Sequence, residues 1–316
     1  MTRLFARRVL LLEPILLALS FVVFLMMALV PGDPAQAILG PYATEQNLQE
    51  LRKELHLDRP WPERYAKWLG GVLQGDFGES THLNRPIRDE LLERAGPTLL
   101  LAGMAFMLCT IFGVLAGTLS ALYRNEWPDR LIGFFVLSGI STPSFWLGLI
   151  LVSVFAVGFG IFPASGMYSV IGPNDFSDLL AHLFLPAITL AWVAGCLVAR
   201  LMRGQMVETL QLDYVRAARA KGQTEIRVVG LHALRNAMVS MVPVLALQAG
   251  FVLGGAVYVE TVFQWPGLGR MMVLAIQTRD ILLVQGAVLV LATAYVLFNM
   301  VADLLQIWLD PRLAEA

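Results

Sequence analysis

Six runs of apolar residues, at 9–30, 97–123, 131–162, 183–202, 239–262 and 282–309, constrain this chain more than any other feature. About 20 consecutive apolar residues cross the hydrocarbon core as a helix, and a helix satisfies its own backbone hydrogen bonds there. Six such runs predict an all-α membrane protein with six transmembrane helices. Composition agrees: 57% of the 316 residues are hydrophobic, only 15% are charged and the mean hydropathy is +0.66, too apolar for an ordinary soluble protein. The net charge of −1 and the absence of a basic patch give no footing for nucleic acid.

Arg3, Arg7 and Arg8 precede the first run. Its core is too long for a cleaved signal peptide and no small-residue cleavage site follows, so residues 1–30 are expected to hold a retained first span. Glu13 and Pro14 interrupt that span one turn in, where Glu13 is shallow enough to snorkel to the interface. Pro31-Gly32-Asp33-Pro34 ends the span. The polar residues 31–96 are expected to form an external helical loop, long enough to cross whatever its charge. Residues 97–309 then form a core of five spans, and 310–316 a cytoplasmic tail. The 163–181 connection has no Lys or Arg and reads as external. Thirteen basic residues fall on the amino terminus, the 124–130 turn, the segment from Arg200 at the end of the fourth run to Arg235, and the tail, against only Arg270 and Arg279 on the opposite short connections. That asymmetry predicts both termini in the cytoplasm.

Within the spans, the Gly- and Ala-rich second run suits close helix packing. Ser141-Thr142-Pro143-Ser144 lies in the third. Proline frees a backbone carbonyl, so a kink is expected there, and Ser141 and Pro143 become candidates for lining a pathway. Such kinks also occur in helices that transport nothing. Cys109 and Cys196 lie far apart in apolar runs and read as small core residues. The last run contains Asn299 and Asp303, and Asp303, within two turns of its cytoplasmic end, suits a helix-to-helix hydrogen bond.

The segment 204–238 is a charged island between two apolar runs and must sit in water beside the membrane. Ala217, Ala218 and Ala220 favour helix, Gly222 breaks it, and Thr224 suits the N-cap of a second helix. In that second helix Ile226, Val229, Gly230, Ala233, Leu234 and Ala237 share one face at α spacing. The small Ala217 and Ala218 would let another protein approach the backbone closely. The wording DYVRAARAKG with HALRNA resembles the cytoplasmic EAA coupling loop of binding-protein-dependent ABC-importer permeases, in the dipeptide/oligopeptide/nickel branch. Arg216 stands where the broad motif has Glu, and Arg235 where it ends in Pro, departures usual in that branch. The residues from Glu260 to Arg270, ETVFQWPGLGR, match its E-x-V-F-x-W-P-G-L-G-R signature. Trp265 reads there as an interfacial anchor, Pro266-Gly267 as a turn, and Met271 onward as a short helix dipping back. Leu55 to Pro60 and Gly75 to Gly78 resemble the branch's external loop, with His56 in place of an expected glycine.

The resemblance covers nearly the whole chain and implies a type I ABC importer permease fold in a bacterial inner membrane. It implies ATPase-coupling residues Tyr214, Arg216, Ala217, Ala218, Arg219, Lys221 and Gly222. It also implies an external turn or gate within 260–281, comprising Glu260, Phe263, Trp265, Pro266, Gly267 and Gly269. The implied partners are a second homologous permease, two cytoplasmic ABC ATPase subunits, an external solute-binding protein and membrane lipid. There is no P-loop sequence on this chain, so ATP and Mg are expected on the ATPase subunits and no cofactor here. His56, His82, His182 and His232 lack metal-ligand spacing, and no catalytic constellation or metal site emerges. The implied cargo is a peptide or similar small solute, with nickel or metal chelates, glutathione or opines as alternatives within the class. An ion-coupled secondary carrier is the rival from another class; it would need ionisable groups near the membrane midplane, which these spans lack.

Overall fold

The computed structural model describes residues 2–29, 34–39, 43–54, 58–171 and 173–309, and every regular element among them is helical. In chain order these are α1 (Thr2–Ala28), α2 (Pro34–Leu39), α3 (Glu45–Glu54), α4 (Trp61–Leu73), α5 (Ile87–Leu122) and α6 (Trp127–Ser141). There follow α7 (Ser144–Leu151), which runs on as a π-helical turn over Val152–Gly158, then α8 (Phe176–Thr209) and α9 (Asp213–Ala220). The chain closes with α10 (Glu225–Arg227), a π-helical stretch Val228–Leu234, α11 (Arg235–Val262), α12 (Leu268–Gln277) and α13 (Ile281–Leu309). Residues 31–33, 55–57 and 310–316, and the side chain of Asp303, lie outside what is described, and so do the expectations that fell on them.

Among the described residues, four helices are long and apolar enough to cross a membrane: Ile87–Leu122, Phe176–Thr209, Glu225–Val262 and Ile281–Val301. A fifth span is broken: Trp127–Ser141 and Ser144–Gly158 pass together but bend by 108°. The described apolar part of the first helix, Leu12–Met26, is shorter. The expected kink at Pro143 is therefore a full break. Pro143 has no N–H to donate into the helix. The backbone N–H of Thr142 takes the Gly139 carbonyl at 3.3 Å. The Ser141 and Thr142 hydroxyls donate to the carbonyls of Leu137 and Ser138 at 3.1 and 2.8 Å, so the last turn of α6 ends satisfied. The second span also starts earlier than the apolar run, at Ile87, with Asp89 and Glu90 in its first turn complementing the helix dipole.

The chain divides into two compact units, one dominated by residues 98–265 and the other by 6–97 with 266–296. In the first, α8 is central: 67% of its apolar window is buried, against 28% and 33% in α5 and the Glu225–Val262 helix, and α6, α7 and α11 all pack on it. Small residues make the approach possible. A Cβ on Gly113 would lie 2.5 Å from Val198, and one on Gly117 2.5 Å from the Ala199 carbonyl. Leu101, Ala105, Cys109, Leu190, Ala194, Val252, Ala256 and Val259 fill the core, and Cys109 and Cys196 are both buried thiols, as the sequence suggested. In the second unit, Phe21 and Phe24 of α1 meet Tyr65 edge-on, with ring centroids 5.4 Å apart in each pair. Ile87, Leu91, Leu268, Met271, Leu283 and Val284 form its core. Asp280, fully buried, caps α13 through the Leu283 N–H at 3.1 Å and accepts from the Ser80 hydroxyl.

Candidate coupling site

The short helix α9 is a braced knob. Its C-terminus closes with Gly222 at φ +74, the Gly222 N–H donating to the Arg219 carbonyl at 2.9 Å and the Gln223 N–H to that of Ala218 at 3.3 Å. This is a Schellman motif, with glycine at the position that requires left-handed backbone. Nothing lies within 4 Å of a Cβ built on Gly222, so its requirement is conformational and not steric. Thr224 does precede the next helix in extended conformation, but its side chain makes no cap bond.

Side-chain contacts tie α9 and its closing turn to the helix that begins at Glu225, among them a 3.5 Å bond from the Tyr214 hydroxyl to the His232 carbonyl. Arg219 donates from Nε and Nη2 to Glu225 at 2.7 and 3.1 Å. The Glu225 carboxylate holds the Arg219 pKa above its ordinary value. The His232 Nε2 lies 2.9 Å from the Gln223 amide oxygen, and Asn236 Nδ2 donates to the Tyr214 hydroxyl at 3.1 Å. The Arg219 and Glu225 side chains are 40% and 62% exposed, so their pair fixes position more than it adds stability.

The outward side of α9 carries Tyr214, Arg216, Ala217, Arg219, Ala220 and, at its end, Lys221. Ala218 is a correction: it is turned inward and packs with Val215, Val228 and Leu210, so its small side chain serves the knob's own core. The second correction concerns the face expected at α spacing. Residues 228–234 are π-helical; Ala233 and Ala237 of the expected face are buried with Val229 and Leu234 packed partly buried beside them, but Val228 is buried too, while Gly230 is exposed and Ile226 is 89% exposed. A π turn takes up about one residue more than an α turn, which resets the inward face. The expected second helix and the fifth span are thus one 38-residue helix, Glu225–Val262.

Close to the end of α8 that leads into α9 lies a buried carboxylate that the sequence pattern does not single out. Asp129, 6% exposed, accepts from Arg203 Nε at 2.7 Å and Nη2 at 2.6 Å, from the Ser120 hydroxyl at 2.5 Å and from the Asn125 N–H at 2.9 Å. Charge counting places Arg203 only as one more basic residue on one side.

The signature turn is built inward. Glu260 is fully buried and accepts from the Thr98 hydroxyl at 2.6 Å. Phe263 is 1% exposed and Trp265 0%, so Trp265 is a core residue and not an interfacial anchor. The cause is local: Gln264 adopts φ +51, the Trp265 N–H returns to the Glu260 carbonyl at 2.9 Å, and the Gly166 N–H donates to the Phe263 carbonyl at 2.9 Å. Pro266 is half-buried, and Gly267 and Gly269 are buried at the start of α12, whose first backbone bond runs from Met271 to Gly267 at 3.1 Å. Ser141 and Pro143 flank the break between α6 and α7. No cluster of metal-ligating side chains occurs among the described residues.

Known proteins bear on this arrangement in three ways. The family described as binding-protein-dependent transport system inner membrane component matches residues 113–315, and the N-terminal part of such membrane components matches residues 1–90. The glutathione transport system permease protein GsiC of Escherichia coli (strain K12) is 40% identical over 307 residues, 97% of this chain and 97% of its own, and its counterpart in Shigella flexneri serotype 5b (strain 8401) is similar to the same extent. Among solved structures, an inward-facing form of the MetNI methionine ABC transporter aligns with a TM-score of 0.55 at 18% identity, over 70% of this chain and 96% of that one. That likeness establishes the type I importer permease fold. With both family segments matched and the relatives aligned along nearly its whole length, the chain belongs to the binding-protein-dependent transport system inner membrane components, as a permease subunit of an ABC importer in the dipeptide/oligopeptide branch.

Proposed function

We propose that this permease forms half of a translocation path for glutathione or another short peptide, and that α9 is the surface on which an ATPase subunit pushes. Permeases of this family work with ATPase and binding-protein partners. The finer assembly is a second homologous permease, two cytoplasmic ATPase subunits that hold ATP and Mg, and an external solute-binding protein. The observation that carries the reading is the braced knob. Tyr214, Arg216, Ala217 and Lys221 face outward on a helix locked at its end by Gly222 and tied behind by Arg219–Glu225. Such a body passes a push on rigidly instead of absorbing it. Glutathione as cargo is supported by the 40% identity to glutathione permeases and by its being a tripeptide, which suits the peptide branch.

The test is uptake of radiolabelled glutathione into vesicles that hold the chain with its partner subunits and binding protein. Replacing exposed Ala217 with Trp should leave ATP hydrolysis within about twofold and cut uptake at least tenfold. Uptake that ignores the substitution would refute the role of α9. ATP-dependent uptake of dipeptides or nickel chelates without glutathione would reassign the cargo alone.

A further inference from the structure

The Asp129–Arg203 contact is built as a clamp. Its carboxylate accepts four hydrogen bonds, two of them from one guanidinium, the bidentate geometry that fixes orientation as well as distance. The donors come from three places: Ser120 near the end of α5, Asn125 in the turn, and Arg203 on α8. Asn125 adopts φ +68, and its N–H points into the carboxylate. Asp129 itself sits in the first turn of α6. The pair therefore fastens the start of α6 to α8, six residues before α8 ends at Thr209, about 9 Å along the helix. From Asp129, α6 runs twelve residues to Ser141 at the 108° break, about 18 Å.

We propose that Asp129 and Arg203 are positioning residues for coupling, making α6 move with α8 so that displacement of α9 is delivered to the broken span at 141–144. Apolar packing alone gives no directional bond between the two helices: Ile132, Val136, Gly139 and Ile140 of α6 pack against Trp192, Cys196 and Ala199 of α8. The clamp supplies the missing restraint at the end nearest α9. It rests on the coupling reading of α9 given above.

The test compares three variants in the complete transporter, in vesicles with binding protein and radiolabelled glutathione, reading solute imported per ATP hydrolysed and the melting temperature. Asp129→Asn/Arg203→Met removes both charges together and so leaves no unpaired buried charge, while the amide oxygen can still accept from the Asn125 N–H and the amide NH2 can donate to the Ser120 hydroxyl oxygen. Arg203→Lys keeps the charge but not the fork. Ala217→Trp reports on α9 itself. The expected result is at least a fivefold drop in solute per ATP for the double variant, an intermediate drop for Arg203→Lys, and a melting temperature within a few degrees of the parent. A double variant with the parental ratio, beside an uncoupled Ala217→Trp, overturns the clamp and leaves the coupling reading standing. Hydrolysis and uptake falling in parallel with a lower melting temperature also overturns it, because the pair would then be merely structural. An Ala217→Trp variant that stays coupled overturns the reading on which the clamp rests.

Discussion

Trp265 and Trp127 carry the same side chain in opposite surroundings, 0% and 74% exposed. Tryptophan is apolar with a polar tip, so sequence pattern alone suits it equally to a membrane interface and to a core. The choice was made by the backbone at Gln264, whose positive φ turns the signature inward, and a glutamine gives no advance notice of that. Trp265→Ala should therefore cost about 3–5 kcal/mol and lower the detergent melting temperature clearly, while Trp127→Ala changes it little. Glu260 shows the same limit from another side. It stood out within the signature, yet its buried partner Thr98 lies 162 residues away and no local pattern joins them. Gly222 was legible for the opposite reason: a glycine closing an alanine-rich helix has a local meaning, and the left-handed turn is there. Gly222→Val should cost about 1–2 kcal/mol from the left-handed backbone, whereas Gly222→Asn should be tolerated, with amide exchange across 213–223 reporting both.

Among the elements, what the apolar runs foretold was existence, and what they missed was how elements end and join. The helices α5, α8 and Glu225–Val262 all outrun their apolar runs, because polar turns continue a helix wherever capping and backbone bonds allow. Asp175 begins α8 by accepting the Asp178 N–H at 2.9 Å, and that bond draws its carboxyl below the usual range. The π-helical stretch at 228–234 had no signal in an α-periodic pattern, and the buried face accordingly starts at Val228 and not at Ile226, although Ala233 and Ala237 stay on it. Glycine in the second span was read for close packing, and the structure gives that reading particular partners. Gly113→Leu would drive a side chain into Val198, and overpacking of this kind costs about 1–3 kcal/mol. The variant should melt lower, whereas Gly103→Leu, with nothing within 4 Å of its Cβ, should not.

For the whole molecule, composition and the run of apolar segments were enough for an all-helical membrane protein, and two short motifs were enough for its family. The knob's bracing was out of reach, since Gln223, Glu225, His232 and Asn236 act through contacts made only once α9 folds back on the next helix. The central claim is that α9 lies on the cytoplasmic side against an ATPase subunit. The most direct measurement places a cysteine at Ala217 in a variant lacking Cys109 and Cys196, within the assembled transporter in intact cells, and applies a short membrane-permeant crosslinker that is thiol-reactive at one end and photoreactive at the other. The account predicts an adduct between this chain and a P-loop ATPase subunit, together with protection from a membrane-impermeant thiol reagent added outside. Labelling from outside with no ATPase adduct would contradict it.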